Sequence, residues 1–146
     1  MVSFIDGQLW VHDKNDVHNN FYGIQYTSKI NLIQNASVME PQDVKMWFAL
    51  MINSVQSDGG FNWSVPVITN KANQLSRILT ANFTKGEESW DAAYKKDLNT
   101  PVANPIVNGR VLRNATITLL LENDTTGNFE LRAITSRVEV SHRNTK

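Results

Sequence analysis

The chain is 146 residues long, 41% hydrophobic and 19% charged, and its 14 basic and 14 acidic residues give a formal net charge of zero. One hydrophobic core suffices for that length, and a balanced charge lacks the basic excess with which most nucleic-acid binders displace counterions. With no cysteine, disulfides, thiolate metal centres and a cysteine nucleophile are all excluded.

Residues 1–23 read as a polar and aromatic N-terminal segment of a single domain spanning 1–146. From there alternation with a period of two dominates. Ile24, Tyr26, Ile30 and Leu32 fall on even positions with Gln25, Thr27, Lys29 and Asn31 between them, which predicts a half-buried strand over residues 24–34. Residues 45–56 continue in the same phase through Met46, Phe48, Leu50 and Ile52. Trp47, Ala49 and Met51 on the opposite face predict a strand covered on both sides. A helix is the rival reading of that run. The turn signal Ser57-Asp58-Gly59-Gly60 instead favours a hairpin into a strand over 61–69, carried by Phe61, Trp63, Val65 and Val67. Pro66 cannot donate to a ladder and so predicts an edge position or a bulge.

Residues 76–84 read as a further strand and Lys85-Gly86-Glu87 as a turn. Trp90, Ala92 and Tyr94 alternate as a strand would, although Trp90 to Lys96 also contains good helix formers. Pro101 and Pro105 make residues 98–108 a loop that closes at Asn108-Gly109. A strongly apolar strand over 115–122 is turned back by Asn123 to Asn128 into a last strand over 129–141. Local basic charge there (Arg132, Arg137, Arg143, Lys146) is what a solvated strand and tail would carry.

Seven to nine short strands with turns about every ten residues predict an all-β protein, an antiparallel β-sandwich with jelly-roll order. Asn at about one residue in eight suits hydrated sheet faces and turns better than helices, because its amide competes with the helical backbone. The expected core is Phe48, Leu50, Ile52, Trp63, Ile117, Leu119, Leu131 and Val138.

No candidate catalytic site survives inspection. His12, Asp13, Asp16 and His18 could supply metal ligands, but they match neither calcium-loop nor zinc spacing, and a polar turn accounts for them. Glu87 and Glu88 are adjacent and on a strand would point to opposite faces, so they could not flank one bond. No P-loop, nucleophile elbow or dinucleotide fingerprint is present. The expectation is a protein that is not an enzyme and carries no cofactor or metal. The five Asn-x-Ser/Thr triplets, at Asn35, Asn62, Asn82, Asn114 and Asn123, are what this abundance of Asn and Thr yields by chance. Residues 1–6 show neither a basic region nor an apolar one, so no secretory signal is expected. No run reaches the roughly eighteen apolar residues that would span a membrane.

Trp10, Trp47, Trp63 and Trp90 could form a sugar-stacking platform. Core packing is the stronger account of Trp47 and Trp63, and Trp10 and Trp90 stay open. The candidate contact site for partner proteins is Trp10, His12, Asn19, Asn20, Phe21 and Tyr22. Protein interfaces favour such flat aromatic rings set among neutral hydrogen-bonding groups. The alternative is that the aromatics plug one end of the sandwich. No small ligand is expected on the contact-site reading.

Two stretches carry a family resemblance. Phe4 to Asp13 followed by Asn19-Asn20-Phe21-Tyr22-Gly23, together with Leu98-Asn99-Thr100 and Val107 to Arg113, resembles a terminal domain of the tail-stabilisation, or muzzle-type, structural proteins of crAss-like short-tailed bacteriophages. The resemblance implies a virion component assembled in the host cytoplasm, present in several copies, bound to other tail proteins and to copies of itself, with no chemistry of its own. A carbohydrate- or receptor-binding β-sandwich module on a phage or bacterial surface protein is the alternative, and only there would a host glycan be a partner.

Overall fold

A computed structural model describes residues 1–12, 14, 16–35 and 43–141. The described chain runs β1 (Val2–Ile5), β2 (Gln8–Val11), β3 (Asn20–Phe21), β4 (Ile24–Gln25), β5 (Ser28–Gln34), β6 (Lys45–Gln56), β7 (Trp63–Thr69) and β8 (Leu75–Ile78). A 3-10 turn (Thr80–Asn82) leads to β9 (Thr84–Lys85), β10 (Trp90–Ala93), the one-turn helix α1 (Pro105–Asn108), β11 (Arg113–Asn114), β12 (Ile117–Asn123) and β13 (Phe129–Val140). The protein is all-β and antiparallel. One sheet has the order β5-β12-β7-β8. In the other, β6 is central, with β13 along one edge and β10, then β9, along the opposite edge beside β11. These pairings define two sheets of four and five strands among the described residues, without establishing a jelly-roll winding.

The core lies between them. Trp63, Val65, Ile68, Ile117, Leu119 and Leu121 from the first sheet meet Trp47, Leu50, Ile52 and Ala92 from the second. Trp63 also ties the sheets by a polar contact, donating its indole N–H to Ser54 Oγ at 2.9 Å, while Phe129 meets its ring edge-on at 5.6 Å. Of the expected core, Leu50, Ile52, Trp63, Ile117 and Leu119 are buried, and Leu131 and Val138 pack against the core partly buried.

Phe48 departs from expectation and is only half-buried. Arg137 faces Ala49 and Val138 faces Trp47, so Phe48 is an extra residue in a β-bulge that reverses the inward face of β6. Lys45 and Trp47 therefore point inward at one end of the strand, and Leu50 and Ile52 at the other. A second bulge at Arg132 does the same in β13. Pro66 sits at a third, in an interior strand, so that Val67 turns outward and Ile68 inward. The expected strand over 24–34 is interrupted between β4 and β5, and that over 76–84 ends at Ile78 in the 3-10 turn.

Residues 95–113, expected to be an open loop over 98–108, are held by specific hydrogen bonds. Asp97 Oδ1 accepts from the backbone N–H of Leu75 at 2.9 Å and of Asn99 at 3.0 Å, and Thr100 Oγ1 accepts from Arg110 N at 3.0 Å. The Gln74 side-chain Oε1 accepts from Arg113 N at 2.7 Å. Gly109 closes α1 so tightly that a Cβ there would lie 2.2 Å from the Pro105 carbonyl oxygen.

Candidate functional site

Residues 1–26 form two short hairpins that share no sheet with the sandwich. β1 and β2 pair with Val2 opposite Val11 and Phe4 opposite Leu9, and their tip is Asp6-Gly7 with φ of 51° and 75°. β3 and β4 pair around Tyr22-Gly23 with φ of 53° and 80°. Positive φ at both central residues is the type I′ geometry that matches the natural twist of a hairpin, and Asp-Gly is among its strongest sequence signals. The Asp6-Gly7 signal is therefore present in the sequence and identifies a hairpin within the expected polar and aromatic segment. Tyr22 has no such excuse. An aromatic residue in the left-handed region costs about 1–2 kcal/mol, which surrounding contacts must hold in place.

Those contacts are the expected site residues. The Tyr22 ring meets Trp10 edge-on at 5.7 Å and His12 edge-on at 5.9 Å. Ser3 Oγ lies 2.9 Å from His12 Nε2 and donates weakly to the Tyr22 hydroxyl at 3.5 Å. A Cβ on Gly23 would press to 3.3 Å from the Trp10 ring. Trp10, His12, Asn20, Phe21 and Tyr22 thus line one cavity of about 310 Å³ between the two hairpins. Asn20 hydrogen-bonds Gln25 at 3.4 Å, and Phe21 leans on Tyr26 at 6.0 Å with its outer side exposed. These aromatics join the hairpins to each other.

Asn19 has a different task. Its Nδ2 donates to the Thr125 carbonyl at 3.1 Å, its Oδ1 accepts from Ser28 Oγ at 2.6 Å, and its own carbonyl accepts from Tyr26 N at 2.7 Å. His18 N donates to the Thr126 carbonyl at 2.7 Å. Together they fasten the arm to the turn between β12 and β13. That turn is braced by Asn123 Oδ1, which accepts from Thr125 N at 2.9 Å.

The outer face of hairpin β1–β2 is apolar. Val2, Phe4, Leu9 and Val11 stand on it as two directly opposed pairs, all exposed, with Phe4 at 75%. The period-two rule that finds sandwich strands finds this face too, since residues 2, 4, 9 and 11 share one side once the two-residue turn is recognised.

No group of three or more His, Asp or Glu that could hold a metal occurs among the described residues, and Asp13 lies outside them. Glu87 and Glu88 sit in the turn between β9 and β10 rather than on a strand. Both consequently line the same cleft instead of opposite faces. The tryptophans divide as anticipated for Trp47 and Trp63. These are 2% and 0% exposed, and their indole N–H groups donate to Asn114 O at 3.0 Å and Ser54 Oγ at 2.9 Å. Trp10 and Trp90 are half-buried, and among the described residues neither indole N–H has an acceptor.

No protein-family model matches the chain, and no curated protein is significantly similar to it.

Proposed function

We propose that the chain is a non-enzymatic structural component of a virion tail, acting by protein–protein assembly, with the N-terminal arm as its contact element. The observation that carries this reading is the exposed apolar face of Val2, Phe4, Leu9 and Val11. Contiguous exposed apolar surface marks interaction sites, and covering it contributes roughly 25 cal/mol per Å² removed from water. The aromatic seam of Trp10, His12 and Tyr22 behind that face keeps it presented in one orientation, so little is lost in ordering when a partner binds. The resemblance to tail-stabilisation proteins points the same way. Its two C-terminal stretches meet in space, where Thr100 accepts from Arg110 N. The partners are neighbouring tail proteins and further copies of the chain, and the virion tail is where it resides.

Quantitative mass spectrometry of particles purified from cells producing the chain tests the reading. The expected result is the chain at a fixed ratio to the other tail proteins, with incorporation lost in a Phe4→Ser, Leu9→Ser variant that folds normally. Finding the wild-type chain only in the free fraction sinks it.

A further inference from the structure

Trp90 stands in a second place where the chain leaves its polar groups unspent. A cleft of about 530 Å³ opens between the end of β6, the Gly59-Gly60 turn, the β9–β10 turn and Arg132, well inside the 300–1,000 Å³ or so of small-molecule sites. Phe61, itself buried, stacks on the Trp90 ring at 4.7 Å and 21° and fixes its plane. Lys85 Nζ lies over the ring, 6.0 Å from its centroid, on a flexible stem that a stacking ligand would displace. Three glycines, at 59, 60 and 86, contribute backbone without side chains to the walls, so a ligand can approach closely. Among the described residues, the Trp90 indole N–H, the Asn53 amide and the Glu87 and Glu88 carboxylates have no hydrogen-bond or ion-pair partner.

We infer that this cleft is a binding site for a neutral oligosaccharide. A pyranose offers one face of C–H groups, which stacks on a fixed aromatic plane, and a rim of hydroxyls, each both donor and acceptor. The cleft supplies the matching set: a flat ring, donors on Trp90, Asn53 and Lys85, and acceptors on Asn53, Glu87 and Glu88. The charges argue for a neutral ligand. The two carboxylates offset Lys85 and Arg132, and Arg132 already pairs with Glu130 at 3.2 Å. With Arg132 so engaged, Lys85 alone faces the two carboxylates, and an anionic ligand would meet net repulsion. The inference departs from the expectation that the domain binds no small ligand, and it is independent of the assembly reading, because the arm contributes nothing to the cleft.

The test is saturation-transfer NMR and tryptophan-fluorescence titration of the full chain with cellotriose, maltotriose, mannotriose and N,N′,N″-triacetylchitotriose. At least one sugar should bind with a millimolar or tighter dissociation constant. Binding should weaken by about tenfold or more in Trp90→Ala and in Asn53→Ala, a loss equivalent to about 1.4 kcal/mol, and stay unchanged in Trp10→Ala. Asn53→Ala guards against the chance that Trp90→Ala disturbs the Phe61 stack, since Asn53 has no bonded partner to lose. Failure of all four sugars to bind the wild-type chain overturns the inference. So does binding that survives both cleft variants, or a clear preference for a sulfated trisaccharide over the neutral ones.

Discussion

Strand β12 and hairpin β1–β2 obey the same alternating pattern and meet opposite fates. Ile117, Leu119 and Leu121 share one face of β12 and are all buried; Val2, Phe4, Leu9 and Val11 share one face of the hairpin and are all exposed. What differs is the layer opposite. β12 is central in its sheet and faces Leu50 and Ile52 across the core, whereas the hairpin pairs only with itself. A two-stranded hairpin buries too little to be stable alone, and this one is held through Trp10, His12, Tyr22 and the Asn19 fastening. Periodicity tells which residues share a face, and only the surroundings decide whether that face becomes core or contact surface.

The sharpest way to break the comparison is to empty the core. Leu119→Ala and Leu50→Ala should each cost about 2–5 kcal/mol through lost burial and a residual cavity, read from urea unfolding. A cost below about 0.5 kcal/mol at both would mean that the sandwich does not depend on this face. Next in size is Asp97→Ala, which leaves the Leu75 and Asn99 N–H groups without their acceptor. It should cost about 3 kcal/mol, and amide exchange should accelerate across residues 95–113 while the arm is unaffected.

Tyr94 supplies a pH test confined to the sandwich. Burial pushes its hydroxyl well above the ordinary tyrosine range, and the hydrogen bond with Ser136 offsets only part of that rise. The neutral phenol is therefore the form that the fold stabilises. Its contribution is complete below the ordinary value near pH 10 and is lost as pH rises from there toward the folded-state value, since only the unfolded chain ionises readily. Wild-type stability should fall above about pH 10, and Tyr94→Phe should flatten that fall at a cost near 1 kcal/mol at neutral pH. Equal alkaline slopes in the two proteins would contradict the burial argument.

The smallest expected effect on stability belongs to the arm. Phe4→Ser with Leu9→Ser should change the unfolding free energy by no more than about 0.5 kcal/mol while abolishing assembly. Trp10→Ala and Tyr22→Ala should leave the melting temperature of the sandwich unchanged and alter only the signals of residues 1–26. A large melting shift would mean that these rings support the sandwich after all.

Much of this was legible in the chain. β6 runs over the residues that its alternation marks, 45–56, because a central strand needs apolar residues on both faces. The phase breaks at Phe48, Pro66 and Arg132 were hidden, except that Pro66 announced a bulge by its missing N–H. A bulge depends on the partner strand, and no local pattern carries that information. The ordering of residues 95–113 was hidden for the same reason: Asp97 reaches back to Leu75, and Gln74 reaches forward to Arg113. In the arm, the six expected contact residues do lie together, but Asn19 is occupied in holding the arm down. The exposed apolar pairs emerge from the sequence only once Asp6-Gly7 is recognised as a two-residue turn. The Trp90 cleft draws on two separate turns, at Gly59-Gly60 and between β9 and β10, and on the end of β6 and Arg132, whose convergence only the fold provides.

The fastening of the arm has a mechanical side. His18 and Asn19 grip Thr125 and Thr126, in the connection between the central strand of one sheet and an edge strand of the other. A pull on the arm therefore enters the molecule at the point where its two layers are joined, and both sheets share the load. The load on the arm is thus carried by the core of the fold and does not fall on a single strand.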